Sequence, residues 1–341
     1  MKKELSMATL YARYLPEVLQ EFGYDPVPFL TRHQLTREQL NQPDARLYYD
    51  NYLGFLREIL AKTDIPGLGL KTASHISLLK MGLYGYAMSS CKDLQQALNI
   101  HCNYSCLESD VIQDSLSIQG GNATYSINSN LFRGQEAVIR FEVEQDFAMW
   151  FKAAEMWWDE PCNWFQKVEF SFDRPSYADL YEEFFKCPIR FKQPVDQFVF
   201  NTEHLHRPFI SFNAQMMQLT KEQCAKLLDE KTKDEGLAGK IRTLISCHGT
   251  PFPSAQEVAD KLNLSEITMR RRLKKEGTTY KALLHEFRME LASRYLRETQ
   301  IPVKEVAYIT GYTDPANFTR AFTLFYSIPP NQYRDSSMGS L

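Results

Sequence analysis

Ser254-Ala-Gln-Glu-Val-Ala-Asp-Lys-Leu-Asn-Leu-Ser265 continues into Glu266-Ile-Thr-Met-Arg-Arg-Arg-Leu-Lys-Lys-Glu-Gly277. Ser254 can cap a short helix, and Glu257 three residues on completes a capping box. Val258, Ala259 and Leu262 supply the apolar stripe of that helix. Asn263 and Leu264 make a turn, and Ser265 caps a second helix. In that second helix Met269 and Leu273 are four apart and face the core together. Ile267, Arg270, Arg271 and Lys274 are left for the outer face. Gly277 ends the helix as a left-handed cap does. The segment reads as a helix-turn-helix at about 254–277.

The plan recurs at about 302–325, from Pro302-Val-Lys-Glu-Val-Ala-Tyr-Ile-Thr-Gly-Tyr312 into Thr313-Asp-Pro-Ala-Asn-Phe-Thr-Arg-Ala-Phe-Thr-Leu-Phe325. Pro302 suits a first helical position. Val303, Val306 and Ala307 pack inward, and Gly311 makes the tight turn. Asp314 caps the second helix with Pro315 behind it. Phe318, Phe322 and Phe325 are expected as the buried stripe, with Ala316, Asn317 and Arg320 facing out.

Between the units, residues 278–298 contain neither Gly nor Pro. Tyr280, Leu284, Phe287, Leu291 and Tyr295 recur at four and three, which predicts one long helix with a single apolar stripe. Such a helix spans roughly 30 Å, close to the roughly 34 Å between successive major grooves on one face of B-DNA. Paired helical hairpins in an ordinary all-α core are the plain alternative. Charge favours a polyanion-binding end: residues 236–334 carry 15 Lys and Arg against 9 Asp and Glu, in a chain of net charge −3. A basic module on an acidic body fits double-stranded DNA as partner.

At these residues the sequence resembles the AraC/XylS family of bacterial transcription regulators over about its last 100 residues. Gly311-Tyr-Thr-Asp-Pro-Ala-Asn-Phe-Thr-Arg-Ala-Phe322 and Ile328-Pro-Pro-Asn-Gln-Tyr-Arg334 look like the family's C-terminal signature. Asn263-Leu-Ser-Glu-Ile-Thr-Met-Arg-Arg-Arg-Leu273 resembles its first recognition helix. The resemblance implies base-reading roles for Ile267, Arg270 and Arg271 in the first unit, and for Ala316, Asn317 and Arg320 in the second. Departures are Thr323-Leu-Phe325 where the family is often basic, Ser327 where Gly is common, and Thr310 where an apolar residue is usual. Fewer phosphate contacts are therefore expected from the second unit than from the first, with its run Arg270 to Arg272, Lys274 and Lys275.

The 341 residues have room for two domains. The expected organisation is an α+β N-terminal sensor domain at 1–232, a charged linker at 233–240, an all-α DNA-binding domain at 241–334, and a flexible tail at 335–341. The sensor domain reads as helices near 8–22, 47–62, 93–108, 135–158 and 213–229. Strands are expected near 111–119, 123–128 and 167–172, with a hairpin turn at Gly120-Gly-Asn122. Leu68-Gly-Leu-Lys-Thr-Ala-Ser74, Met81-Gly-Leu-Tyr-Gly-Tyr-Ala-Met88, Leu94-Gln-Gln-Ala-Leu98, Cys187-Pro-Ile-Arg-Phe191 and Phe200-Asn-Thr-Glu-His-Leu205 resemble the family's arabinose-binding-type domain. That second, more diffuse resemblance implies effector sensing and a homodimer; it does not imply arabinose.

All four tryptophans fall between Trp150 and Trp164. Trp150 and Trp157 share a helical face, as core or interface packing or as walls of an effector pocket. Gly82 and Gly85 read as turn or close-approach positions. Seven scattered cysteines, no signal peptide and no long apolar run point to a cytoplasmic protein without a membrane span. His101, Cys102 and Cys106 are close enough for a metal, but buried thiols are the plainer reading, and no metal or cofactor is expected. An enzyme is not expected either. A DNA-targeted alkyl-transfer protein needs a reactive Cys, and neither Cys162, before Asn163, nor Cys187, before Pro188, suits. The reading is a sequence-specific DNA-binding regulator under a small-molecule effector, which by resemblance implies activation through contact with RNA polymerase. The alternative is a constitutive regulator whose N-terminal domain only dimerises or binds a protein partner.

Overall fold

The computed structural model describes residues 6–42, 45–109, 114–127, 135–158, 164–231, 236–248, 252–262, 264–298 and 302–338. The chain divides into two compact units, the second of which holds everything from Leu228 onward.

The first unit opens with strand β1 (Ser6–Ala8), four short helices, α1 (Leu10–Arg13), α2 (Leu15–Glu21), α3 (Val27–Arg32) and α4 (Arg37–Asn41), and β2 (Arg46–Tyr48), which pairs antiparallel with β1. Then come α5 (Tyr49–Lys62), α6 (Leu68–His75), a 3-10 turn at Leu78–Lys80, α7 (Gly82–Ser89) and α8 (Leu94–Glu108). The hairpin β3 (Asp114–Gln119) and β4 (Asn122–Ile127) precedes α9 (Glu136–Trp157). After it come β5 (Phe165–Glu169), α10 (Asp179–Phe185), β6 (Ile189–Arg190), β7 (Asp196–Asn201) and α11 (Ala214–Lys231). The main sheet has the order β3-β4-β7-β5-β6, with β7 antiparallel to both neighbours and β5 parallel to β6.

Gly120 and Gly121 both have positive φ, as a two-residue primed hairpin turn requires. The strand expected at 111–119 is seen from Asp114 on; residues 111–113, and Asn128 of the next strand, lie outside the described residues. Along β4, Ala123, Tyr125 and Ile127 are buried while the residues between them are not, the period-two pattern of a sheet covered on one face. That face packs on α9: Phe147 meets Phe198 edge-on at 5.3 Å, and Trp150 lies 5.1 Å from Tyr125.

The helix α9 is the spine of this unit and is buried along most of its length. Gly69 of α6 crosses it so closely that a Cβ there would sit 2.4 Å from the Phe141 carbonyl oxygen. The Gly69 amide donates to Glu144 at 3.0 Å, and the Tyr181 hydroxyl donates to the same carboxylate at 2.6 Å. Gly82 takes a positive φ at a turn, and a Cβ on Gly85 would overlap the Leu78 carbonyl. Both glycines are thus needed for their local geometry.

From α12 on, the elements among the described residues are all helices: α12 (Gly236–His248), α13 (Ala255–Lys261), α14 (Glu266–Lys275), α15 (Tyr280–Glu298), α16 (Val303–Ile309), α17 (Pro315–Tyr326) and α18 (Pro330–Met338), the last of which takes in residues 335–338, expected as flexible tail. Residues 236–240, expected as linker, are the first turns of α12. The cause is remote in sequence: the carboxylate of Glu276 accepts from the Leu237 and Ala238 amides at 3.0 and 2.8 Å. It satisfies two of the amides that a helix start leaves open, where a negative charge is also favoured. Residues 232–235 lie outside the described residues.

Two cores share α15. Leu283, with Tyr280, Leu284 and Phe287, packs on Ile241, Ile245, Val258, Met269 and Leu273. Met289, Leu291, Ala292, Tyr295 and Leu296 pack on Val306, Ala307, Phe318 and Phe322. All five residues of the expected stripe, Tyr280, Leu284, Phe287, Leu291 and Tyr295, pack into these cores, and Leu283, Met289, Ala292 and Leu296 widen the buried face because each half serves a different core.

Candidate functional site

Each helix-turn-helix is built by its own short-range chemistry. Ser254 and Glu257 form the capping box, with Ser254 Oγ accepting at 3.2 Å and Glu257 Oε2 at 2.6 Å. Ser265 accepts from the Thr268 amide at 3.2 Å and starts α14. Asp314 accepts from the Ala316 amide at 2.9 Å and starts α17, with Pro315 at its first position. Pro302 is the cap of α16 rather than its first residue, a one-residue difference in a helix boundary. Asn263 lies outside the described residues. Gly277 and Gly311 both hold positive φ at their turns.

Met269 and Leu273 are fully buried, which fixes the rotation of α14. Ile267, Arg270, Arg271 and Lys274 are accordingly exposed, Ile267 to 80%. Phe318 and Phe322 do the same for α17, leaving Ala316, Asn317 and Arg320 exposed. Phe325 departs from the expected stripe and is 41% exposed. At the end of α17 the core is filled by Tyr326 and by Tyr333 of α18, 4.9 Å apart, and Phe325 rests edge-on against His285. Thr310 is fully buried although polar, because its hydroxyl donates to the Val306 carbonyl at 2.8 Å. Ser327 adopts a left-handed conformation at φ +63 to end α17, which is why Gly would be at ease there.

Three of the exposed readout candidates engage their own helices. Arg270 forms an ion pair with Glu266 one turn back. Arg320 Nη2 donates to Asn317 Oδ1 at 2.5 Å. The two recognition helices stand at either end of α15, whose 19 residues give an axial length of roughly 28 Å.

The first unit holds a cleft of about 460 Å³, counted out to its open mouth, between α7, α8 and α9. Trp150 lines it. Trp157 does not: it is fully buried and stacked on Phe209 at 4.5 Å and 6°. His101 also faces the cleft, with its Nδ1 against the Tyr84 hydroxyl and its Nε2 3.2 Å from that of Tyr125. The sequence reading named His101 only beside Cys102 and Cys106. It missed Tyr84, Asp146 and Met149 of the lining. No local signal marked the acids: Glu142, Glu144 and Asp146 stand among other polar residues of α9, and their burial follows from packing around the helix. Burial pushes the Glu142 carboxyl up to about 7, against the hydrogen bond from Tyr52. Burial also raises the Cys91 thiol to about 12 and the Cys224 thiol to about 11, which keeps both protonated and unreactive. Among the described residues no helix is long and apolar enough to cross a membrane.

A tandem pair of helix-turn-helix units with exposed basic recognition helices, following a separate α+β unit, defines a DNA-binding transcription regulator. Residues 23–209 match the arabinose-binding N-terminal domain of AraC transcription regulators, and residues 258–336 match a helix-turn-helix domain. The chain belongs to the AraC family of transcription regulators. The ornithine utilization regulator of Pseudomonas aeruginosa is 28% identical over 326 residues, covering 96% of this chain and 95% of that one. The regulator VirS of Mycobacterium tuberculosis is 23% identical over 322 residues, covering 93% of each chain. The crystal structure of the regulator CdpR from Pseudomonas aeruginosa aligns with 91% of this chain and 96% of its own, at 21% identity and a TM-score of 0.44. Both curated relatives are named as regulators.

Proposed function

We propose that this regulator reads two successive major grooves of one DNA duplex and is governed by a small molecule bound in its first unit. The observation that carries the reading is the exposure of Ile267, Arg270 and Arg271 at one end of α15 and of Ala316, Asn317 and Arg320 at the other. In the first unit, Arg270 and Arg271 pair with guanine edges and Ile267 meets a thymine methyl; Lys274 adds a phosphate contact. In the second, Asn317 and Arg320 supply the polar contacts and Ala316 admits close approach to the groove floor.

The cleft lined by Trp150 is the effector site, and an effector acts by binding one state of the protein better than another. The regulator acts as a homodimer. Exposed Phe212, Met216, Leu219 and Leu227 form an apolar face along and just before α11 that suits a second copy. It works in the cytoplasm as an activator that touches RNA polymerase. The name of the Pseudomonas relative ties that protein to the use of a metabolite, and control of a catabolic gene set is the corresponding role here.

The test is to sequence the genomic DNA fragments that the full-length protein selects at one fixed salt concentration. Two base blocks about one helical turn apart are the expected result. A single block would remove the second unit from base reading. An absence of enrichment, with and without extracts of cells grown on different carbon and nitrogen sources, would overturn the reading.

A further inference from the structure

We propose that Leu324 is a fourth base-reading side chain of α17 and contacts a thymine methyl in the major groove. This rests on the reading of α17 as a recognition helix and extends it. Leu324 is 86% exposed and Ile267 80% exposed, more than any other large apolar side chain among the described residues. A lone exposed leucine is ordinary on a protein surface; the place of this one is not. Ala316, Asn317, Arg320 and Leu324 fall within about 100° of one another around the axis of α17, and all four are exposed. Their common face lies opposite Phe318 and Phe322, the buried pair that fixes the rotation of the helix. Leu324 is seven residues beyond Asn317, an axial step of about 10 Å, or about three base pairs of DNA.

The two recognition helices end this face differently. Leu324 comes ten residues after the cap Asp314, and Lys275 comes ten residues after the cap Ser265. Both are exposed. A lysine at this step grips a phosphate whatever the sequence, and its contribution fades with salt. A leucine has neither charge nor hydrogen bond to offer, so it gains nothing from a phosphate. The apolar group that the major groove displays is the 5-methyl of thymine. Packing Leu324 against that methyl removes apolar surface of both from water. Ile267 presents the same chemistry at the start of α14, so each recognition helix carries one apolar reader. Phe325, one residue on, turns to His285 instead.

The experiment uses the full-length protein and a duplex carrying both selected base blocks. Thymines of the second block are replaced one at a time by deoxyuridine, which removes only the 5-methyl. At one of them the wild type is expected to bind about fourfold more weakly, the effect of one methyl returned to water. Leu324→Ala is expected to bind that thymine duplex and its deoxyuridine counterpart alike, with the thermal midpoint of the wild type, as an exposed position allows. It should keep the discrimination that the wild type shows at thymines of the first block. Leu324→Lys is expected to lose the same discrimination, to tighten binding to scrambled DNA at low salt, and to steepen the salt dependence. If the second block holds no thymine, or if Leu324→Ala discriminates as the wild type does, Leu324 is not a base reader, while Asn317 and Arg320 keep their roles. If Leu324→Ala binds every duplex as the wild type does but fails to drive a reporter gene, the side chain meets a protein and not DNA. If scrambling the whole second block leaves affinity unchanged, the two-groove reading falls, and Leu324 falls with it.

Discussion

The guanidinium of Arg288 lies over the ring of Tyr312, 5.7 Å from its centroid, and 5.1 Å from that of Phe252. Arg288 belongs to α15, Phe252 precedes the first helix-turn-helix, and Tyr312 sits in the turn of the second. One side chain thus ties both units to the helix between them. Gly311 leaves room for this arrangement, since a Cβ there would come within 3.1 Å of Phe252 and 3.2 Å of Arg288. Arg288→Ala is expected to cost about 1–2 kcal/mol of stability, read from urea unfolding. It should also weaken binding to a two-block DNA site more than to either block alone. Equal losses on all three DNAs would mean that Arg288 does not set the spacing of the recognition helices.

Arg270 is paired with Glu266, so base reading requires that pair to open. Arg270→Ala is expected to cost about 1–3 kcal/mol on a cognate site and to relax preference at one base position. Glu266→Gln removes both the competitor and a negative charge near the phosphates. It is expected to tighten binding to all sequences at low salt, with the gain shrinking as salt rises. Titrations of cognate and scrambled duplexes at two salt concentrations check both variants; a uniform loss for Arg270→Ala would make it a phosphate contact.

Glu142 is buried against Tyr52, whose hydroxyl donates to it at 2.5 Å, and its carboxyl is raised from 4.5 to about 7. Below about pH 4.5 the group is protonated in both the folded and unfolded chain. Between there and pH 7 the unfolded chain releases the proton while the folded chain keeps it, so stability falls as pH rises. Above pH 7 this contribution is gone. Glu142→Gln, neutral throughout, is expected to flatten the stability profile over that window and to exceed the wild type at pH 8 by at most about 3 kcal/mol. Thermal unfolding across pH 5–8 measures it, and a profile as steep as the wild type's would remove Glu142 as its source.

Ser327 carries the left-handed turn that ends α17, at φ +63. An L-residue in this conformation is strained by about 1–2 kcal/mol, part of which glycine returns as lost chain entropy. Ser327→Gly is expected to stabilise the protein by roughly 0.5–1 kcal/mol in urea unfolding. Ser327→Val should destabilise it, because a β-branched side chain tolerates this backbone least.

The helix-turn-helix units were legible because every signal in them acts over a few residues. Ser254, Glu257, Ser265 and Asp314 cap helices whose amides are three or fewer positions away. Met269 with Leu273, and Phe318 with Phe322, set each recognition helix by a spacing of four. The long connecting helix and its stripe were legible for the same reason, although the wider burial of Met289, Ala292 and Leu296 was not, since that depends on two cores brought to the helix from either side.

What the sequence by itself determined is therefore the family, the two helix-turn-helix units and the outward face of each recognition helix. The tertiary structure alone decided the rest. It placed β7 between β4 and β5, pairing Phe198 with Tyr125 from far earlier in the chain. It started α12 at Gly236 through Glu276. It gathered Tyr11, Tyr84, His101, Asp146 and Trp150 around one cleft. Helical periodicity and caps are written in neighbouring residues, whereas a strand's partners and a cleft's walls are chosen by packing between segments that no local pattern connects.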